Sequence, residues 1–138
     1  METAKVIIDT DILIDVLRSK KEAIALVSEF ELKKFLLATT AVNAFELYYG
    51  ARKSNQPEKG LQSTKILLSR LVILPFTTKS AQIAGRIYAE LEKGGQPIGL
   101  RDSFVAAIAL TRGFAVATRN IQHFSKVTDL RIISTETL

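Results

Sequence analysis

The chain has 138 residues, 47% hydrophobic and 24% charged, a balance that suits one globular domain over residues 1–138 and lies far from the composition of disorder. No apolar run reaches the ~20 residues of a membrane span, and the absence of cysteine removes disulfides, thiolate zinc sites and a cysteine nucleophile together. Nineteen Lys and Arg against fourteen Asp and Glu give +5 at pH 7. That charge favours approach to a polyanion but is ordinary for a small domain, so it does not by itself identify a nucleic-acid partner.

Met1 to Lys5 lead directly into an apolar run rather than a signal-peptide segment, so a cytoplasmic address is expected. Lys5–Asp9 is a β-branched strand ending on an acid, of the kind found in parallel sheets covered on both faces. Ile12, Leu13, Val16 and Leu17 recur at helical spacing, and Ile24 to Phe30 form a second helical segment beyond the polar break Ser19–Lys21. Phe35–Thr39 is the second strand. Thr40 then caps a helix running to about Lys53, with Asn43 at the capping-box position, and the loop Ser54–Pro57 stops it.

A helix over Glu58–Arg70 leads into an apolar strand, Leu71–Phe76, closed by Pro75. The clearest amphipathic helix follows Thr77-Thr78, with Ala81, Ala84, Ile87, Tyr88 and Leu91 inward, and Gly94-Gly95 ends it. After the loop Gln96–Gly99, Leu100–Arg112 reads as an alanine-rich buried helix with Gly113 as its C-cap. Phe114–Thr118 and Leu130–Ile133 complete the strands. The alternation predicts an α/β domain with a parallel β-sheet flanked by helices on both faces.

In such sheets ligands collect beyond the carboxyl ends of the strands, and those positions are polar here: Asp9 and Asp11, Asn43 and Glu46, Arg119 and Asn120, with Asp102 opening an apolar helix. Each has a plainer reading. Asp102 suits a helix N-terminus through the macrodipole, and Glu46 suits an exposed helix face, although Phe45, Leu47 and Tyr48 surround it with apolar bulk. Asp9 ends a buried strand, where an unpaired charge is costly. Clustered carboxylates repel unless a cation joins them, and an all-oxygen set suits Mg²⁺ or Mn²⁺.

Four segments resemble the motifs of PIN domains in family order. Val6-Ile7-Ile8-Asp9-Thr10-Asp11-Ile12-Leu13-Ile14-Asp15 is similar to the first, Thr39 to Gly50 to the second, Asp102-Ser103-Phe104-Val105-Ala106-Ala107-Ile108-Ala109 to the third, and Ala117 to Phe124 to the fourth. The resemblance covers nearly the whole chain and points to the VapC toxins. It implies a single PIN-like domain that hydrolyses RNA with Mg²⁺ or Mn²⁺, the metal held by Asp9, Glu46 and Asp102 with Asn120 at a fourth site position. It also implies a homodimer and an inhibitory VapB-like antitoxin, for which Tyr48 and Tyr49 are candidate contacts. Asp11 stands where Asn or Ser is commoner, and Asn120 where Asp is common.

Asp11 has two readings, a supporting acid or a cap for the first helix, and the cap is slightly favoured. Asp9-Thr10-Asp11 also resembles the nucleophile loop of haloacid-dehalogenase-type phosphohydrolases, but Leu13 stands where Thr or Val is wanted and no late acidic pair follows a strand. A response-regulator receiver lacks its phosphoacceptor after the third strand. A catalytically silent PIN module that only binds RNA or protein is the non-enzymatic alternative. His123 is the lone histidine and is expected to be a surface or packing residue, while Arg52, Lys53, Arg101 and Arg119 are expected to be solvated charges with phosphate binding as the second reading.

Overall fold

Every strand of the sheet runs parallel to its neighbours, in the order β3-β2-β1-β4-β5, with β1 (Lys5–Ile8) at the centre. β2 (Leu36–Thr40) and β3 (Val72–Leu74) lie to one side of it, and β4 (Ala115–Ala117) and β5 (Ile132–Ile133) to the other. The computed structural model describes residues 3–133 and 135.

Alternate residues of β1 explain the layers. Ile7 points into a core built with α5 (Thr78–Lys93), α6 (Leu100–Arg112) and α7 (Ile121–Phe124), while Val6 and Ile8 point into a second core on the opposite face. That second core receives α1 (Thr10–Leu17), α2 (Lys21–Leu32), α3 (Ala41–Lys53) and α4 (Pro57–Leu68). Val6, Ile7 and Ile8 are all buried, as a strand covered on both faces requires.

Local chemistry sets most boundaries. Thr77 and Ser80 form a capping box at the start of α5, and Gly113 ends α6 in the left-handed region at φ 74°, where a side chain would be strained. Pro57 opens α4 at a first-turn position, one residue before the expected start. In α5 the inward face is Ser80, Ala84 and Ile87, and Ala81, expected inward, is exposed because the cap rotates the helix so that Ser80 turns in. The four-residue α7 is not foreshadowed by any periodicity; buried Phe124 pins it to the core. Among the described residues no helix is long and apolar enough to cross a membrane.

The chain lays β1, β2 and β3 outward in one direction and then crosses back over β1 to add β4 on the other side. This reversal opens a crevice beyond the carboxyl ends of β1 and β4, the usual ligand position in open parallel sheets.

Candidate functional site

Asp9 follows β1 into the crevice and serves as N-cap of α1, its Oδ1 accepting a hydrogen bond from Thr10 N at 2.8 Å. The cap is therefore Asp9 and not Asp11, since the helix starts one turn position earlier than the apolar spacing suggested. Asp9 is 2% exposed, and its carboxylate is fully engaged. Oδ1 also accepts from Asn43 Nδ2 at 3.0 Å and pairs with Arg101 Nη2 at 3.0 Å, and Oδ2 accepts from Thr118 Oγ1 at 2.7 Å.

Asn43 joins two layers of the architecture. Its Oδ1 accepts from Thr40 N and Thr40 Oγ1, closing the capping box of α3, while its Nδ2 donates to Asp9 Oδ1 and Thr10 Oγ1. The side chain is completely buried with every polar atom used. Asn43→Ala is expected to cost about 1–3 kcal/mol, because it strands buried donors and acceptors on both helices. Urea denaturation with an unchanged slope and a lowered midpoint is the expected result.

One turn further along α3, Glu46 faces the same crevice. Its Oε1 accepts from Thr10 Oγ1 at 2.6 Å, and Oε2 lies 2.6 Å from Arg101 Nε. Of the apolar residues beside it in sequence, Leu47 is buried in the core, whereas Phe45 is 64% exposed and Tyr48 is also outward. Helix phase brings Glu46 in, three residues after Asn43 on one face.

Asp102 enters from the first turn of α6, buried, and is gripped from two sides. Oδ1 pairs with Arg101 Nη1, and Oδ2 accepts from Asn120 Nδ2 at 3.0 Å and lies 2.8 Å from His123 Nδ1. His123, expected as a surface or packing residue, keeps 41% of its side chain exposed and at the same time holds Asp102 at the rim of the site. Asn120 and His123 sit three apart around α7, on one face, and that spacing after a strand was the available signal.

Asp11 points the other way around the rim. Its Oδ1 accepts from Ile12 N at 2.7 Å and its Oδ2 from Arg119 N at 3.0 Å, so it fastens the segment after β4 to the start of α1. Burial, then the neighbouring Asp9 carboxylate, pushes its pKa above the ordinary aspartate value, while the two backbone N–H groups pull it down. Buried Asp15, one turn on, holds the Arg119 side chain and lies 3.5 Å from Lys20 Nζ.

The residue that sequence reasoning most misjudged is Arg101. Expected among solvated charges, it instead inserts its guanidinium between Asp9, Glu46 and Asp102. Burial opposes its charge, but these carboxylates outweigh the penalty and hold its pKa above the ordinary arginine value. Arg119 also reaches the rim, whereas Arg52 and Lys53 lie exposed in the last turn of α3.

The structure therefore brings Asp9, Glu46, Asp102 and Asn120 into one crevice. With Arg101 between the acids, no group of three His, Cys, Asp or Glu among the described residues is assembled for a metal ion. In chemistry the donor set still suits one: the three carboxylates surround Arg101, each paired with a different nitrogen, and one guanidinium against three acids leaves the pocket negative. Oxygen-only anionic ligands of this kind suit Mg²⁺ or Mn²⁺.

Residues 6–130 match the PIN domain family. The chain belongs to that family. It is 34% identical over 128 residues to the tRNA(fMet)-specific endonuclease VapC of Salmonella typhimurium, covering 93% of this chain and 96% of that one. It is 36% identical over 127 residues to ribonuclease VapC2 of Haemophilus influenzae, covering 92% and 95%. Within the PIN domains it is thus one of the VapC ribonucleases, which displaces the phosphohydrolase and receiver readings. In solved structures, the DNA-bound VapBC of Salmonella typhimurium superposes with a TM-score of 0.86 at 30% identity, covering 96% of this PIN domain chain and 99% of that one. VapBC2 of Rickettsia felis, bound to a DNA fragment from its promoter, gives 0.85 at 27% identity over 94% and 97%.

Proposed function

We propose that this PIN domain is a toxin-type endoribonuclease in which Asp9, Glu46 and Asp102 hold Mg²⁺ or Mn²⁺ and Asn120 supports them. The gathering of three carboxylates, from the end of β1, α3 and α6, around the one guanidinium of Arg101 carries the reading. When bound, such an ion polarises a phosphoryl oxygen and eases deprotonation of an attacking water.

The protein's own groups supply the order around that position. Thr118 and Asn43 fix the Asp9 carboxylate, Thr10 fixes Glu46, and Asn120 with His123 fixes the outer oxygen of Asp102. Preset ligand orientation of this kind spares the site from reorganising during the reaction. Arg119 stands at the rim, where a guanidinium is suited to an RNA phosphate.

The VapBC structures of the relatives support the partner. A VapB-like antitoxin is proposed as inhibitor, and a homodimer as the working form. Phe45 and Tyr49, stacked at 5.9 Å between ring centroids and exposed on α3, support a protein contact there, with Tyr48 beside them. The domain is proposed to span residues 1–138, with the cytoplasm as its location.

Purified protein is expected to cut RNA in Mg²⁺ or Mn²⁺ and to stop in excess EDTA, and initiator transfer RNA is the first substrate to try because of the Salmonella relative. RNA that binds equally well with and without chelator, and is never cut, would instead establish the silent binding module.

A further inference from the structure

The three acids assigned to the metal already hold a cation that the chain itself supplies. Arg101 places Nη2 3.0 Å from Asp9 Oδ1 and Nε 2.6 Å from Glu46 Oε2, with Nη1 against Asp102 Oδ1. A divalent ion needs carboxylate lone pairs at about 2.0–2.1 Å, and the guanidinium occupies those same lone pairs. Two cations side by side among these oxygens would also repel.

We propose that Arg101 is a built-in placeholder that must withdraw before the divalent ion binds, so that loading the site exchanges one cation for another. The inference rests on the metal-site reading above.

Three observations favour exchange over permanent residence. The Arg101 side chain keeps 31% of its exposure, against 3% for Asp9 and 4% for Asp102, so it reaches in from the rim and has a solvent side. Its buried Nε approaches Glu46 closely but has no aligned hydrogen bond, so the fork is not matched on every donor. An open groove adjoining it is lined by Phe45, Phe76, Leu100 and Phe104, where a withdrawn guanidinium can stack on aromatic faces. In the meantime the guanidinium relieves repulsion among the acids of the metal-free protein.

Because only the withdrawn state binds metal, apparent affinity is lowered by the fraction of molecules in that state. Manganese binding to metal-free wild type, Arg101→Gln and Asp102→Asn tests this, together with nitrogen-15 NMR of the arginine Nε–H groups during a Mg²⁺ titration of wild type. Arg101→Gln is expected to bind Mn²⁺ about tenfold or more tightly than wild type, and Asp102→Asn more weakly. In wild type the Arg101 signal is expected to move to the position of exposed arginines with the midpoint of Mg²⁺ binding. An Arg101 signal that stays in place while Mg²⁺ saturates, or an Arg101→Gln affinity no better than wild type, overturns the placeholder and leaves the metal site standing. Failure of wild type and Arg101→Gln alike to bind Mn²⁺ at millimolar concentration overturns the placeholder and the metal site together.

Discussion

Asp9→Asn and Asp102→Asn are each expected to lower the rate of RNA cleavage by about 10²-fold or more, since the charge stabilisation a catalytic ion supplies is several kcal/mol. The substitutions preserve shape and remove one negative ligand. At Asp9 the new amide nitrogen is best placed toward Thr118, whose hydroxyl reverses to accept, and Oδ1 keeps the donors from Thr10, Asn43 and Arg101. At Asp102 the amide of Asn120 turns over to present its oxygen. Both variants therefore keep the fold, and circular dichroism with a melting curve near that of wild type separates lost chemistry from lost structure. Asn120→Ala is expected to have the smaller effect, because it removes a neutral donor rather than a charged ligand.

Phe124→Ala is expected to destabilise the protein by about 3–5 kcal/mol, the range for emptying a fully buried aromatic position. Phe124 is 0% exposed and packs in the core that includes Ile7, Val116 and the inner face of α6. A four-residue helix has little hydrogen bonding of its own, so α7 depends on this anchor. Its loss also frees Asn120 and His123 from their places beside Asp102. Urea denaturation should show the stability loss, and cleavage measured well below the melting temperature should fall by more than it does for Asn120→Ala. A stability change under about 1 kcal/mol would show that the site is not tied to the core through this ring.

What was legible in the sequence was local or periodic. β1 announced itself by a short β-branched run, α3 by the Thr40–Asn43 capping box and the end of α6 by Gly113, each a signal carried by neighbouring residues. Asp9, Glu46 and Asp102 stood out because each sits at the edge where a parallel sheet collects ligands, and the crevice contains all of them. The apolar neighbours of Glu46 do not explain its place, however: Leu47 is buried while Phe45 and Tyr48 are exposed, and it is helix phase with Asn43 that turns Glu46 inward.

Other features depended on tertiary placement. Arg101 next to Asp102 looks like any pair of opposite charges on a helix, and only the meeting of β1, α3 and α6 turns it into the hub of three ion pairs. His123 is 21 positions from Asp102, and its role required α7, which is too short to leave a periodic trace. Asp11 suits a cap just ahead of the apolar run from Ile12, whereas the hydrogen-bonded helix begins at Thr10 and Asp9 caps it.

The most direct measurement follows Mn²⁺ occupancy by electron paramagnetic resonance and cleavage of RNA in the same samples, across a Mn²⁺ titration of wild type and Asp102→Asn. If Asp9, Glu46 and Asp102 hold the catalytic ion, wild-type cleavage rises in proportion to bound Mn²⁺, and both curves shift together to higher concentration in Asp102→Asn. Cleavage that reaches its full rate with no Mn²⁺ bound, or that persists undiminished in excess chelator, would contradict it.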